Sequence, residues 1–446
     1  MDYKELGLVP FGPEPNPRQM EWLERERTVF FHFGMNTFTD KEWGDGTEDP
    51  KWFNPTELCV DQWISVIKEA GFKAAILTAK HHDGFCLWPT KYTQHSIKNS
   101  PYKDGKGDIV KEFFDACEKY DIKAGIYLSP WDRHEKTWGS DEYNDFYAGQ
   151  LTELLTGYGK LWELWWDGAG STEAVYDWAR WAEIVKKHQP DAVIFGSLGA
   201  TPWVDVRWVG NESGIAGKPC YSRIEPISLV VETTSELNSG LIEGSRFIPA
   251  EVDVSIRPGW FFHESENDKV RDVDNLIGLW FTSNGSNAGL LLNLPPDRRG
   301  LIHENDVSSL LGFEKRLQKV LSENFAEGAT VTSSSERDKC PAMGLVTGGI
   351  YAPEDKDKCP EIMVTLKEEA TFNAVMLREE IGLGQRVTGY TVEGFIDGGW
   401  RLLTEGKCIG NRLCEKFDTV SCQRLRIKIT EALNTPVLKE LGLYLF

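Results

Sequence analysis

Between residues 28 and 294, short runs rich in β-branched and aromatic residues recur eight times, separated by stretches whose apolar residues fall at helical spacing. The strand candidates are Thr28–Phe33, Lys73–Thr78, Lys123–Leu128, Leu161–Trp166, Ala192–Phe195, Val206–Val209, Phe247–Val252 and Leu290–Leu294. Helical patterns cover Cys59–Ala70, Ile109–Tyr120, Asp141–Thr156 and Thr172–His188. Strands alternating with helices predict parallel pairing through crossover connections. Eight such strands predict an α/β fold that closes into a (β/α)8-like barrel of the TIM type. Gly71 marks the end of the first helix, and Gln189-Pro190 stops the last because proline cannot continue it. Helical periodicity weakens between Trp208 and Arg257, so the barrel is expected to be irregular there.

After the eighth run the character of the chain changes. Val307, Leu310, Leu311, Phe313, Leu317, Val320 and Leu321 keep helical spacing and predict a connecting helix over 304–324. Beyond it, alternating runs at Glu361–Leu366, Ala374–Arg378, Gly389–Gly394, Trp400–Thr404, Arg424–Ile429 and Lys439–Phe446 predict a β-sandwich. The expected organisation is therefore a barrel over 1–303, the helix, and a sandwich over 325–446.

Two isolated carboxylates give the barrel its chemistry. Leu161-Trp-Glu-Leu-Trp-Trp-Asp-Gly168 reads as a buried strand that ends by presenting Asp167 among aromatics, and Trp208-Val-Gly-Asn-Glu-Ser-Gly214 presents Glu212 in the same manner. In a barrel of this type the C-terminal rim carries the active site, so the two residues are expected to converge. A lone aspartate after a strand is a common turn former or N-cap. A pair suggests cleavage of a glycosidic bond, with one carboxylate attacking the sugar carbon and the other exchanging a proton with the leaving oxygen and then with water. The net charge of −20, from 49 basic and 69 acidic residues, argues against nucleic acid or an anionic membrane as partner and favours a neutral ligand. Seventeen tryptophans suit sugar faces and apolar cores equally.

Other rim segments offer polar groups. Lys80-His-His-Asp-Gly-Phe contains His81 and His82, whose imidazoles suit sugar hydroxyls. Adjacent histidines also hold a metal when a third ligand arrives from elsewhere, which is the pattern of a metal-dependent hydrolase on a similar barrel. His32 is either a core residue or a ligand contact. Glu42-Trp43 pairs a carboxylate with an indole donor, and Tyr127-Leu-Ser-Pro-Trp-Asp-Arg-His134 brings Tyr127, Trp131, Asp132 and His134 to the rim as a pocket wall. Phe247–Asp253 and Ile256–His263 add Glu251, Asp253, Arg257 and Trp260. An arginine beside a nucleophilic carboxylate would keep it ionised. Glu251 competes with Glu212 for the acid role. Trp43, Trp166 and Trp260 are the candidates to face an apolar part of the sugar.

Taken together, His-Phe-Gly-Met-Asn-Thr-Phe, Glu-Trp-Gly, Lys-His-His-Asp-Gly-Phe, Trp-Trp-Asp-Gly, Gly-Asn-Glu and Leu-Leu-Asn-Leu-Pro-Pro resemble glycoside hydrolase family 29, the α-L-fucosidases, across about residues 15–300. The resemblance implies a retaining exo-acting enzyme with Asp167 as nucleophile and His32, Glu42, Trp43, His81, His82, Tyr127 and Arg257 around the fucose. Glu212 in Gly-Asn-Glu matches the acid/base of the branch that prefers α-1,3 and α-1,4 linkages in Lewis-type glycans. No cofactor or metal is implied for catalysis, and the partner is a fucosylated oligosaccharide or glycoconjugate. The tail is similar to a discoidin-like, galactose-binding-like sandwich, read here as a structural buttress. A carbohydrate-binding protein without catalysis is the rival, disfavoured because binding alone gives no reason to bury both carboxylates.

The nine cysteines include no Cys-x-x-Cys pair, which argues against a zinc knuckle. Pairing of Cys340 with Cys359, or of Cys408 with Cys414 or Cys422, is expected only in an exported chain. The start Met1-Asp-Tyr-Lys-Glu lacks the basic and apolar regions of an export signal, whereas the substrate class points to the periplasm or the cell exterior. No apolar run is long enough to span a membrane, and no motif addresses oligomeric state.

Overall fold

A computed structural model of the chain describes residues 3–170, 172–196, 199–225 and 234–446. Eight parallel strands close into a barrel: β1 Arg27–Phe31, β2 Ala74–Lys80, β3 Lys123–Leu128, β4 Glu163–Trp165, β5 Val193–Gly196, β6 Val206–Trp208, β7 Ala250–Ser255 and β8 Ala288–Asn293. Each strand pairs with its neighbours in chain order, and β8 returns to β1.

Period-two alternation sorts the strand side chains into two apolar clusters. Phe30, Ile76, Tyr127, Trp165, Val193, Phe195 and Leu291 fill the barrel interior. Val29, Phe31, Ala75, Leu77, Ile126, Leu164 and Leu292 face outward onto the helices, where Trp63, Ile67, Phe113, Leu151 and Trp181 meet them. The strands are buried on both faces, which is why they read as apolar runs with little alternation.

The helices follow their local signals. Val60–Glu69 is followed by Gly71 at φ +74°, and Ile109–Tyr120 is capped by Asp108, whose carboxylate accepts from Lys111 N at 2.9 Å. The helix expected from Thr172 begins instead at Trp178, because Asp177 caps it by accepting from Arg180 N. The seventh strand starts at Ala250 rather than Phe247, since Pro249 lacks a ladder donor. Arg246–Phe247 pairs antiparallel with Arg223–Ile224 in a separate ribbon. Part of the irregular span after β6, residues 226–233, lies outside the described residues. The helix Glu304–Leu321 lays Leu310, Phe313 and Leu317 into the helix–strand cluster and is tied to β1 by the Arg27–Glu314 ion pair at 2.5 Å.

The C-terminal region forms a six-stranded antiparallel sheet of Thr330–Ser333, Glu361–Glu379, Val387–Ile396, Gly399–Gly406, Leu413–Ala432 and Leu438–Tyr444. Glu361–Leu366 and Ala374–Arg378 are two halves of one strand, bent at register breaks between Thr365 and Ala370 and between Phe372 and Ala374. Apolar residues from both halves share one core with Leu425, Ile427, Leu441 and Leu443. Asp397 and Gly398, at φ +51° and +79°, make the tight hairpin turn that such a dipeptide favours. The sheet packs on the barrel through Cys414 N to Gly285 O at 2.8 Å and through Phe446 stacked on Trp280. All nine cysteines are free, so the pairings considered for an exported chain are not formed. Among the described residues no helix is long and apolar enough to cross a membrane.

Candidate active site

The C-terminal ends of the strands surround a cavity of about 320 Å³, lined by Phe30, His32, Glu42, Trp43, His81, His82, Tyr127, Trp165, Asp167, Ala169, Glu212, Asp253 and Trp260. That volume lies at the small end of ligand pockets. The lining carries four carboxyl groups and, among the described residues, no lysine or arginine. Such a site repels anions and stabilises developing positive charge.

Strand parity places Asp167. On β4 and its extension Glu163, Trp165 and Asp167 point inward, while Leu164 and Trp166 point out. Asp167 Oδ2 accepts from the Tyr127 hydroxyl at 3.0 Å, its Oδ1 accepts from Ala169 N at 2.8 Å, and the side chain stays one-quarter exposed. Burial raises the pKa of Tyr127 well above its ordinary value, followed by the effect of Asp167, so the phenol remains a neutral donor.

Glu212 sits on a loop framed by Gly210 and Gly214, at φ +80° and +83°, a conformation that bends the chain back over the rim. Its Oε2 accepts from the Trp260 indole at 3.1 Å. Burial raises the pKa of Glu212; the Trp260 bond opposes the shift, and the charges of Asp167 and Glu42 add to it. The two carboxylates thus face one hollow in different settings, one held by two donors and the other pushed toward its acid form.

Three histidines have their tautomers set by the hydrogen-bond network. Asn293 gives its amide hydrogens to Ser255 Oγ and Trp260 O, which turns its oxygen to His32 Nδ1 at 2.9 Å. His32 Nδ1 therefore carries the proton, and Nε2 is an acceptor. Asn36 Nδ2, oriented by the Glu42 carbonyl, approaches His81 Nδ1 at 3.4 Å, so His81 donates from Nε2. Ser129 gives its hydroxyl proton to Trp131 O and accepts from His82 Nδ1 at 2.8 Å, leaving His82 Nε2 as an acceptor. Burial holds His32 down at about 3 and lowers His81 and His82 as well, which keeps all three rings neutral. Glu42 accepts from the backbone N–H groups of Trp260 and Phe261 at 2.8 and 3.1 Å and contacts His263 Nε2 at 2.7 Å.

Several sequence candidates lie outside the lining. Trp166 packs in the helix-facing core against Trp178 and Trp181, and parity gives its expected place to Trp165. Arg257 does not approach Asp167; it is fully buried in an ion pair with Asp306 at 2.9 Å and stacks over Phe262. Glu251, one inward step below Asp253 on β7, lies under the floor and accepts from Trp165 Nε1 at 3.0 Å. Asp132 is paired with the buried Lys80 at 2.8 Å, and His134 contacts Gly46 O and stacks on His95. Trp131 packs against His82 and edge-on to Trp43 at the mouth. Phe30, Trp165, Ala169 and the Glu42 partner His263 were not anticipated. Phe30 and Trp165 each stand two residues before a named candidate on an inward face, a signal that strict parity carries.

The model of the family described as "Alpha-L-fucosidase" matches residues 9–320. Alpha-L-fucosidase 1 of Arabidopsis thaliana is 40% identical over 452 residues, covering 98% of this chain and 88% of its own. A crystal structure from Bacteroides thetaiotaomicron, named as a candidate α-L-fucosidase, superposes with a TM-score of 0.96 at 42% identity, covering 98% of this chain and 99% of the other. A Ruminococcus gnavus family 29 fucosidase solved in complex with fucose gives a TM-score of 0.91 at 30% identity, over 98% and 96% of the two chains. Matched along its barrel and, by these relatives, along nearly its whole length, the chain belongs to glycoside hydrolase family 29, the α-L-fucosidases.

Proposed function

We propose that the protein is a retaining exo-α-L-fucosidase that releases terminal α-1,3- or α-1,4-linked fucose from branched, Lewis-type glycans. The observation that carries this reading is the unequal setting of Asp167 and Glu212 across one small pocket. Asp167, fixed by Tyr127 and Ala169, attacks the anomeric carbon. Glu212, its acid form favoured by burial and by neighbouring carboxylates, protonates the leaving oxygen. It then acts as base toward the water that hydrolyses the fucosyl-enzyme. Positive charge develops on the sugar ring in the transition state of each step, and the carboxyl-rich lining favours it.

The walls fit the sugar in kind. His32 and His82 offer acceptors and His81 a donor to hydroxyls, while Phe30 and Trp165 give an apolar surface suited to the methyl group of a 6-deoxy sugar. Among the lining residues Trp43 is 58% exposed and rests against Trp131. These rings suit the further sugars of a branched acceptor. The fucose complex of the R. gnavus relative supports the ligand class. The test is product analysis on Lewis-type trisaccharides beside an α-1,2-fucoside. Release from the branched sugars with poor release from the α-1,2 linkage is expected; equal release would remove the branch preference. Asp167→Ala should cost about 10³-fold or more in rate, and full activity in that variant would refute its role.

A further inference from the structure

Strand β7 sends three polar side chains into the barrel at period two, Glu251, Asp253 and Ser255, and of these only Asp253 lines the pocket. Glu251 accepts from Trp165, and Ser255 Oγ accepts from Asn293 and donates to Gly259 O at 2.7 Å. Asp253 is different. Its Oδ1 accepts from the Trp208 indole at 2.8 Å, which fixes the carboxyl plane, while Oδ2 has no partner among the described residues. The residue is only 3% exposed, yet it lines the pocket.

The titratable groups around it are Glu212, from the loop after β6, and Glu251 on its own strand. Burial first, then the charge of Glu212, raises the pKa of Asp253 well above the ordinary carboxyl range. A neutral carboxyl with one oxygen already accepting is a hydrogen-bond donor through the other. Resting on the reading of this pocket as a fucose site, we propose that Asp253 is a further specificity-determining residue whose Oδ2–H donates to one hydroxyl oxygen of the bound fucosyl residue.

The test compares an aryl α-L-fucoside with its 2-, 3- and 4-deoxy analogues on the wild type, Asp253→Asn and Asp253→Ala. The asparagine amide keeps an acceptor for Trp208 and a donor in the place of Oδ2–H, so kcat/KM should stay within about threefold of wild type. Alanine should lose about tenfold or more on the parent fucoside, with KM rising, and that loss should vanish on one of the three deoxy analogues. Equal alanine penalties on all four substrates would overturn the proposal, because Asp253 would then act only by holding Trp208. No penalty at all, or asparagine as poor as alanine, would overturn it too. If the alanine variant does not fold, Asp253→Leu, which fills the same space without a donor, takes its place with the same expected pattern. A wild-type chain inactive on the parent fucoside would instead bring down the functional reading and this proposal with it, an outcome distinct from an active enzyme without coupling.

Discussion

Glu163 should make the stability of this enzyme fall with rising pH. It points into the barrel from β4, fully buried below the pocket floor, with Oε2 accepting from Trp22 Nε1 at 3.1 Å and Oε1 without a partner. Burial, and to a smaller degree the charge of Asp205, pushes its pKa from 4.5 up to about 8, although the Trp22 bond works the other way. The folded state thus keeps a proton that the unfolded chain gives up near 4.5. The stability of the protonated form is fully present below that value and is lost as pH rises toward about 8. Linkage over this window gives a loss of about 3 kcal/mol between roughly pH 5 and pH 8. Glu163→Gln keeps an acceptor for Trp22 and removes the titration of this group, leaving that of the buried Glu251, whose pKa the charge of Glu163 raises. Urea denaturation of both proteins across this range should show the wild type losing about 3 kcal/mol more than the variant. Parallel stability curves would refute the argument, and with it the idea that an uncharged carboxyl supports the floor on which Trp165 lies.

Glu212→Ala should slow fucosides with poor leaving groups far more than activated aryl fucosides, and azide should restore turnover; an equal loss on all substrates would remove Glu212 from the acid role. Because the pKa of Glu212 is raised, kcat/KM should fall on the alkaline side as this group ionises, and Glu212→Gln should abolish that limb of the pH profile. Arg257→Met strands the buried charge of Asp306 and should cost about 3 to 5 kcal/mol in denaturant unfolding, while KM for an aryl fucoside stays close to wild type; a large rise in KM would place Arg257 back at the sugar.

Much of this site was legible because strand parity and rim position act locally. The end of each apolar run could be read directly, and so Asp167, His32, His81, His82 and Tyr127 were found where they line the cavity. Trp166 was misplaced because two adjacent tryptophans look alike in a buried strand, and only the count from Asp167 decides which one turns inward. Arg257 was misread for a different reason. Its partner Asp306 lies on the helix after β8, forty-nine residues away, and such a pairing has no local signature. The long bent strand Glu361–Glu379 looked like two, because bulges interrupt alternation without ending the ladder. Asp253 stood out only as one polar residue among several on its segment. Its distinction, one oxygen fixed by Trp208 on a side chain that lines the pocket, arises from packing between β6 and β7.

The stereochemistry of the first product tests the two-carboxylate account most directly. Proton NMR of an aryl α-L-fucoside digest, recorded before mutarotation, should show α-L-fucose appearing first, as two successive displacements at carbon one by Asp167 and then water require. Initial appearance of the β anomer would mean that water attacks in a single step, and Asp167 could not be the nucleophile.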